Sequence, residues 1–262
     1  MGSFPLMELR VGLAALALAP FAIAFGRAPE VRARWRQFLV MGTLNNAVPF
    51  SLIAWGELHI TASLAAILNS TTVQFSVLVA AVFAGDPLTK RKVAGMVLGV
   101  VVGVAVLVGL APLPLNGVVL LSVGASLLAA LFYALARTYA KRTFLGVKPL
   151  TLATGQQTWA ALLLMPLATA TLRGGAPPLP AALASLGLAI LCTAIAYLLY
   201  FTLIANVGPT STLTVTFLSP GFGVLFGVTL LGEPLGLGRL AGLAAYTQLR
   251  LARGVVADRK LP

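Results

Sequence analysis

One cysteine, one histidine and six carboxylates are spread through a chain of 262 residues. A protein metal site clusters His, Cys, Asp and Glu, so no metal site is expected from so sparse a set. Cys192 has no partner for an internal disulfide and, set in the middle of an apolar run, reads as a small buried packing residue. The lone His59 sits at the edge of an apolar run, which leaves no Ser–His–Asp arrangement. No glycine-rich phosphate loop ending in lysine is present, which argues against an ATP-driven machine. No cofactor, no catalytic residue and no enzymatic activity are expected.

Charge is scarce as well. Only 9% of residues are charged, 59% are hydrophobic, and the mean hydropathy is +0.99. A soluble domain carries about 25% charged and about 45–50% apolar residues. This chain cannot cover a globule with polar groups, so its solvent is the lipid bilayer. The apolar runs are continuous rather than alternating, which selects helices over a barrel. The net charge of +12 would suit a nucleic acid. The basic residues, however, fall in short segments between apolar runs, as in cytoplasmic loops, and no nucleic-acid partner is expected. The first run follows Glu8 and Arg10 and lacks a small-residue cleavage site, so no cleavable signal peptide is expected.

The pattern predicts nine transmembrane helices, at roughly 6–26, 38–56, 61–84, 93–110, 117–136, 149–172, 182–203, 209–231 and 235–250. Proline and glycine mark several connections, among them "RGGAPPLP" and "NVGP". Of the 18 Lys and Arg residues, 15 lie in alternate connections and the tail; only Arg10, Arg173 and Arg239 lie opposite. That asymmetry places the C-terminus in the cytoplasm and the present N-terminus outside.

The stretches "AGDPLTKRKVAG" at Ala84–Gly95 and "LGEPLGLGRLAG" at Leu231–Gly242 share their punctuation, 147 residues apart. Over Phe75–Gly95 and Phe222–Gly242, eight of 21 positions coincide, a sign of duplication. The third and eighth helices match, five spans apart, so the copies cross in opposite senses. The fold class expected is an all-α membrane protein, an inverted-repeat helical bundle. Its repeats occupy 1–112 and 113–262. The fifth helix finds no mate, which implies a first helix missing before residue 6 and ten helices in a complete member.

At "PLMELRVGLAALALAP", "LNNAVPFSLIAWGELHITASLAAILNSTTVQFSVLVAAVFAGDPLT", "YALARTYAKR" and "FLSPGFGVLFGVTLLGEPL" the chain resembles the EamA-type transporters of the drug/metabolite transporter superfamily. The resemblance implies an inner-membrane permease of two inverted five-helix units that moves amino acids, other metabolites or drugs, commonly outward. Two departures stand out: Val73 replaces a proline that the second copy keeps as Pro220, and the last helix carries Gln248 and Arg250 where an apolar span should finish.

Polar residues inside apolar runs need partners or a wet cavity. Asn45, Asn46, Asn69, Thr72, Gln74, Gln157, Trp159, Tyr197, Tyr200 and Ser219 form the candidate substrate pathway, with interhelical hydrogen bonding as the plainer role. Trp159, like Trp35 and Trp55, can instead anchor at the membrane interface. Pro220 is the candidate hinge. Glu57 and His59 are a candidate proton-coupling pair or a solvated loop. Glu8 and Arg10 are expected to pair locally. Asp86 and Glu233 are expected to cap the helices that follow them. Gly95, Gly99, Gly103, Gly223 and Gly227 lie four apart on helix faces, for packing within the fold or for a homodimer contact.

The function expected is secondary transport of a small metabolite, amino acid-like solute or drug by alternating access. The alternative is a non-transporting membrane scaffold or a decayed, truncated transporter. Besides the bilayer, the partner expected is a small-molecule substrate.

Overall fold

The computed structural model describes residues 2–85, 89–90, 93–94, 97, 116–172 and 178–232, with the side chains of 84, 208–221 and 224 outside that description. The regular structure among the described residues is all helical, without strands. We number α1 (Ser3–Ala24), α2 (Ala28–Ala33), α3 (Trp35–Gly42), α4 (Val48–Gly56), α5 (Ala62–Asn69), α6 (Thr72–Ala84), α7 (Gly117–Thr143), α8 (Pro149–Thr171), α9 (Leu179–Ala189) and α10 (Ala196–Leu231). Two π-helical turns, π1 (Thr43–Ala47) and π2 (Ile190–Ile195), join α3 to α4 and α9 to α10.

Five helical stretches are long and apolar enough to span a membrane: Ser3–Ala24, Trp35–Gly56, Ala62–Phe83, Gly117–Thr143 and Leu179–Val207. The expected span at 149–172 forms a helix of 23 residues, yet it is not among them. Its glutamines and threonines lower its hydropathy, and its surroundings explain why that is tolerated. Gln156 and Gln157 are both 0% exposed. A helix wrapped by other helices need not be apolar all round. The expected spans at 93–110 and 235–250 lie outside the described residues.

The boundary expected at "NVGP" is absent, because α10 runs unbroken through Asn206–Pro209. Proline costs a helix one hydrogen bond, whereas an open loop in hydrocarbon leaves several backbone groups unpaired, so continuing the helix is the cheaper choice. Conversely, the expected span at 61–84 is interrupted between α5 and α6. Three successive hydroxyls cause the break. Ser70 Oγ donates to Ile67 O, Thr71 Oγ1 to Leu68 O and Thr72 Oγ1 to Asn69 O, each at 2.6 Å. Such back-bonding competes with the helical ladder.

The chain forms two compact units. The first comprises Met1–Trp55 and Leu135–Leu213; the second comprises Gly56–Ala134 and the chain from Thr214. Each draws on both halves of the sequence. In the first, α8 is central, packed by α1, α2, α3 and π1, and α1 also packs on α9 and π2. The buried face of α1 is Pro5, Met7, Val11, Ala14, Ala15, Leu18 and Ala22, which follows the helical period and includes three alanines. The opposite face presents Leu16, Phe21 and Ile23 outward. Phe38 stacks on Phe144 at 4.9 Å to close the core. In the second unit Ile60, Leu64, Leu68, Val119 and Val123 form the buried cluster.

The 147-residue repeat is visible in the backbone. Thr43–Ala47 shifts onto 190–194, inside π2. Gly85 ends α6 at φ +70°, and Gly232, its mate, follows α10 at φ +65°. Both glycines supply the left-handed conformation that terminates a helix at little steric cost. Asp86 and Glu233, the expected caps of the following helices, lie outside the described residues.

Candidate functional site

The two π turns carry the polar residues of the first unit. A π turn fits an extra residue into the helix and frees carbonyls from the regular ladder. In π2, Thr193 Oγ1 donates to Leu188 O, five residues back, at 2.9 Å. In π1, Asn45 turns toward α8 and α10. Its Nδ2 donates to Gln156 Oε1 at 2.9 Å and to Tyr197 OH at 3.3 Å. Tyr197 OH also lies 3.4 Å from Asn45 O.

The neighbouring amides are left over. Asn46 and Gln157 are fully buried, and neither end of either amide has a hydrogen-bond partner among the described residues. Gln156 Nε2 and Thr154 Oγ1 are in the same condition. By mutational measures a buried amide without a partner costs roughly 1–3 kcal/mol. A group of them within one unit calls for polar partners, from ordered water or from a solute. The outer surface carries the opposite chemistry: Leu191 is 63% exposed and Leu230 76%. Amides inside and leucines outside is the arrangement of a protein dissolved in lipid around a polar interior.

Arg10 extends this polar set. Its Nε donates to Thr193 Oγ1 at 2.8 Å, and its Cζ stands 3.9 Å from the centre of the Phe50 ring. The expected local pairing with Glu8 does not occur. Residues two apart on a helix point about 200° apart, so the two side chains leave α1 on different faces. Glu8 lies instead along its own helix, its Oε1 3.0 Å from where a Cβ on Gly12 would stand.

The other expected site residues are distributed as follows. Trp159 rests on Trp35, ring centres 5.7 Å apart, and Tyr200 meets Phe201 edge to face at 5.6 Å. Both pack on the core of the first unit. Asn69, Thr72 and Gln74 belong to the second unit and gather at the α5–α6 break. With its amide nitrogen turned to the helix, Gln74 donates to Ser70 O and Thr71 O, which also accept from the backbone N–H groups of Val73 and Phe75. Glu57 and His59 are exposed on the turn after α4. The side chains of Ser219 and Pro220 lie outside the described residues, with helical backbone at both positions. Gly95, Gly99 and Gly103 also lie outside. Gly223 approaches α5 so closely that a Cβ would stand 2.5 Å from Ala66 Cβ, and Gly227 is buried.

Cys192 is exposed rather than buried. The extra residue in π2 rotates the chain that follows by about 100°, which turns a face projected from a 3.6-residue period. Two further glycines in close helix contact escaped the sequence reading. A Cβ on Gly42 would meet Ala160 N at 2.9 Å and Gln156 O at 3.0 Å; on Gly155 it would enter the Phe38 ring at 2.5 Å. Neither glycine sits in a four-residue stripe, so no local pattern flags them.

Removing one partner of the Asn45–Gln156 pair tests its weight. Asn45→Ala should lower stability in detergent by about 1–2 kcal/mol, because Gln156 then loses its one hydrogen bond while staying buried. A measured change below about 0.3 kcal/mol, the noise of such comparisons, would show water replacing Asn45.

A family model described as the EamA-like transporter family matches residues 1–109 and 120–246, two segments that follow the two halves of the chain. A solved protein structure, titled only as a crystal structure of a protein, aligns with a TM-score of 0.75 at 17% identity over 99% of this chain and 89% of its own. At that identity the likeness speaks to fold alone. No curated protein matches the chain.

Proposed function

The chain belongs to the EamA-like transporter family, and on that premise we propose that it is a secondary transporter moving a small metabolite, amino acid-like solute or drug by alternating access. The observation that carries the proposal is the set of unpartnered, fully buried amides at Asn46 and Gln157, beside the paired Asn45, Gln156 and Tyr197. A merely structural interior would satisfy its amides. One that must release a solute leaves hydrogen-bonding capacity open for it.

The equivalence of π1 and π2 under the 147-residue shift supports an internal duplication, the ground plan of many such carriers. As parts of the same proposal, the two copies run in opposed directions and the C-terminus is cytoplasmic, on the charge distribution, and the location is a bacterial inner membrane, on the family resemblance. The break at Ser70–Thr71 and the helix through Pro220 are the candidate flexible points.

Two measurements test this reading. Reconstituted in proteoliposomes, the protein should give saturable flux of at least one neutral or zwitterionic solute from a metabolite panel; no flux across the panel would defeat it. In a Cys192→Ala background, single cysteines at positions 86 and 233 should react with impermeant reagent from opposite faces of the membrane. Labelling of both from one face would end the inverted arrangement.

A further inference from the structure

We infer that Arg10 is the anchor for a carboxylate on the transported solute. The inference rests on the transport reading and deepens it.

Arg10 lies well inside the candidate span Ser3–Ala24. An arginine in such a place is expensive, and its charge calls for a counter-charge. The protein does not provide one among the described residues: Glu8 makes no ion pair with it, and Glu30 pairs with Arg34. What the protein provides is a mount. The Thr193 hydroxyl gives its proton to Leu188 O, so its lone pairs are free to accept from Arg10 Nε. The Phe50 ring, 3.9 Å from Cζ, holds the guanidinium by cation–π attraction. With Nε committed, the two terminal nitrogens remain as an end-on fork, and no hydrogen bond from them to a described residue occurs. Arg10 is half-buried, so the fork is reachable.

A planar fork of parallel N–H donors matches a carboxylate in two-point contact. The remaining polar groups near the π turns are neutral: Asn45, Asn46, Gln156, Gln157 and Tyr197. One cation among neutral amides balances one negative charge. A phosphate dianion would stay undercompensated.

The 147-residue shift sharpens this. It maps Arg10 onto Gln157, Thr193 onto Asn46 and Phe50 onto Tyr197. The counterparts are neutral and, unlike Arg10 and Thr193, are not bonded to each other: Gln157 and Asn46 both lack a hydrogen-bond partner among the described residues. The charged copy is built to take an acid and the neutral copy a hydrogen-bonding group without charge.

The test uses neutral side-chain α-amino acids, each paired with its carboxamide, and inorganic phosphate as a third probe. Binding is read by thermal shift of the purified full chain, and flux in proteoliposomes. At least one acid should bind about tenfold or more tightly than its amide, as expected for a charge-assisted pair. Arg10→Gln should bring that ratio to about one with amide binding kept, Arg10→Lys should keep part of it, and Thr193→Val should reduce it by loosening the mount. A wild-type ratio near one for every pair, a ratio unchanged in Arg10→Gln, or stronger binding of phosphate than of any acid would overturn the inference. The two readings fail separately. Acid-selective binding without flux would refute transport and keep the anchor, while equal flux of acid and amide would keep transport and refute the anchor.

Discussion

Gly42→Ala should destabilise the protein by about 3 kcal/mol, at the upper end of overpacking costs, because the new methyl meets backbone. The obstacles are Ala160 N and Gln156 O of α8. A side chain can change rotamer to make room, but a helix backbone cannot. The pair α3–α8 must therefore separate, and the loss spreads along its length. Asn45, less than one turn further on, would then be drawn from Gln156, so the change reaches the polar site as well. Gly155→Ala should cost a similar amount for a different reason. Phe38 would have to move, yet it is fully buried and stacked on Phe144. Gly124 is the control: nothing stands within 4 Å of its Cβ position. Gly124→Ala should be neutral or stabilise by about 0.5–1 kcal/mol through helix propensity. Thermal unfolding of the three variants in one detergent decides this. Equal midpoints for Gly42→Ala and Gly124→Ala would show that α3 and α8 are not in close contact.

Gln157→Met should separate stability from function. Methionine has nearly the volume of glutamine and no amide to satisfy. If Gln157 is unpartnered in the resting protein, the substitution should raise stability by roughly 1–3 kcal/mol, the cost of the stranded amide. Flux should fall about tenfold, since a neutral hydrogen bond to solute of roughly 1.4 kcal/mol is lost. Opposite movements of the two readouts are the signature, because a packing residue would lose both together. A lowered midpoint with unchanged flux would mark Gln157 as a structural amide satisfied by water, and the buried polar set would lose its claim to be a substrate path.

Much of the architecture was legible in the residues because it depends on local chemistry and on solvent. Low charge and continuous apolar runs select helices in lipid whatever their packing. The punctuation around Gly85 and Gly232 predicted helix ends, since only glycine takes the left-handed turn freely. Asn45 and Tyr197 stood out because an amide or a phenol inside an apolar run needs a reason wherever it lies. The misreadings fell where distant contacts or helix irregularities intervene. The break at Ser70–Thr71 depends on hydroxyls choosing their own backbone, and the unbroken helix at Asn206–Pro209 on the lack of water to pair an open loop.

The sequence alone determined that this chain dissolves in lipid as a set of helices, that it is built from a duplicated unit, and to which family it belongs. The first needs only composition and period, the second the spacing of like stretches, and the third the likeness of particular stretches to those of the family. The tertiary structure decided which polar groups find partners. Asn45 meets Gln156 across 111 residues and Arg10 meets Thr193 across 183, while Asn46 and Gln157 find no partner among the described residues. A hydrogen bond depends on a distance of about 3 Å, and no sequence pattern encodes a distance between segments so far apart. The π turns add the second reason: one extra residue in a helix turns every later side chain to a new face, and with it the identity of the residues that line the interior.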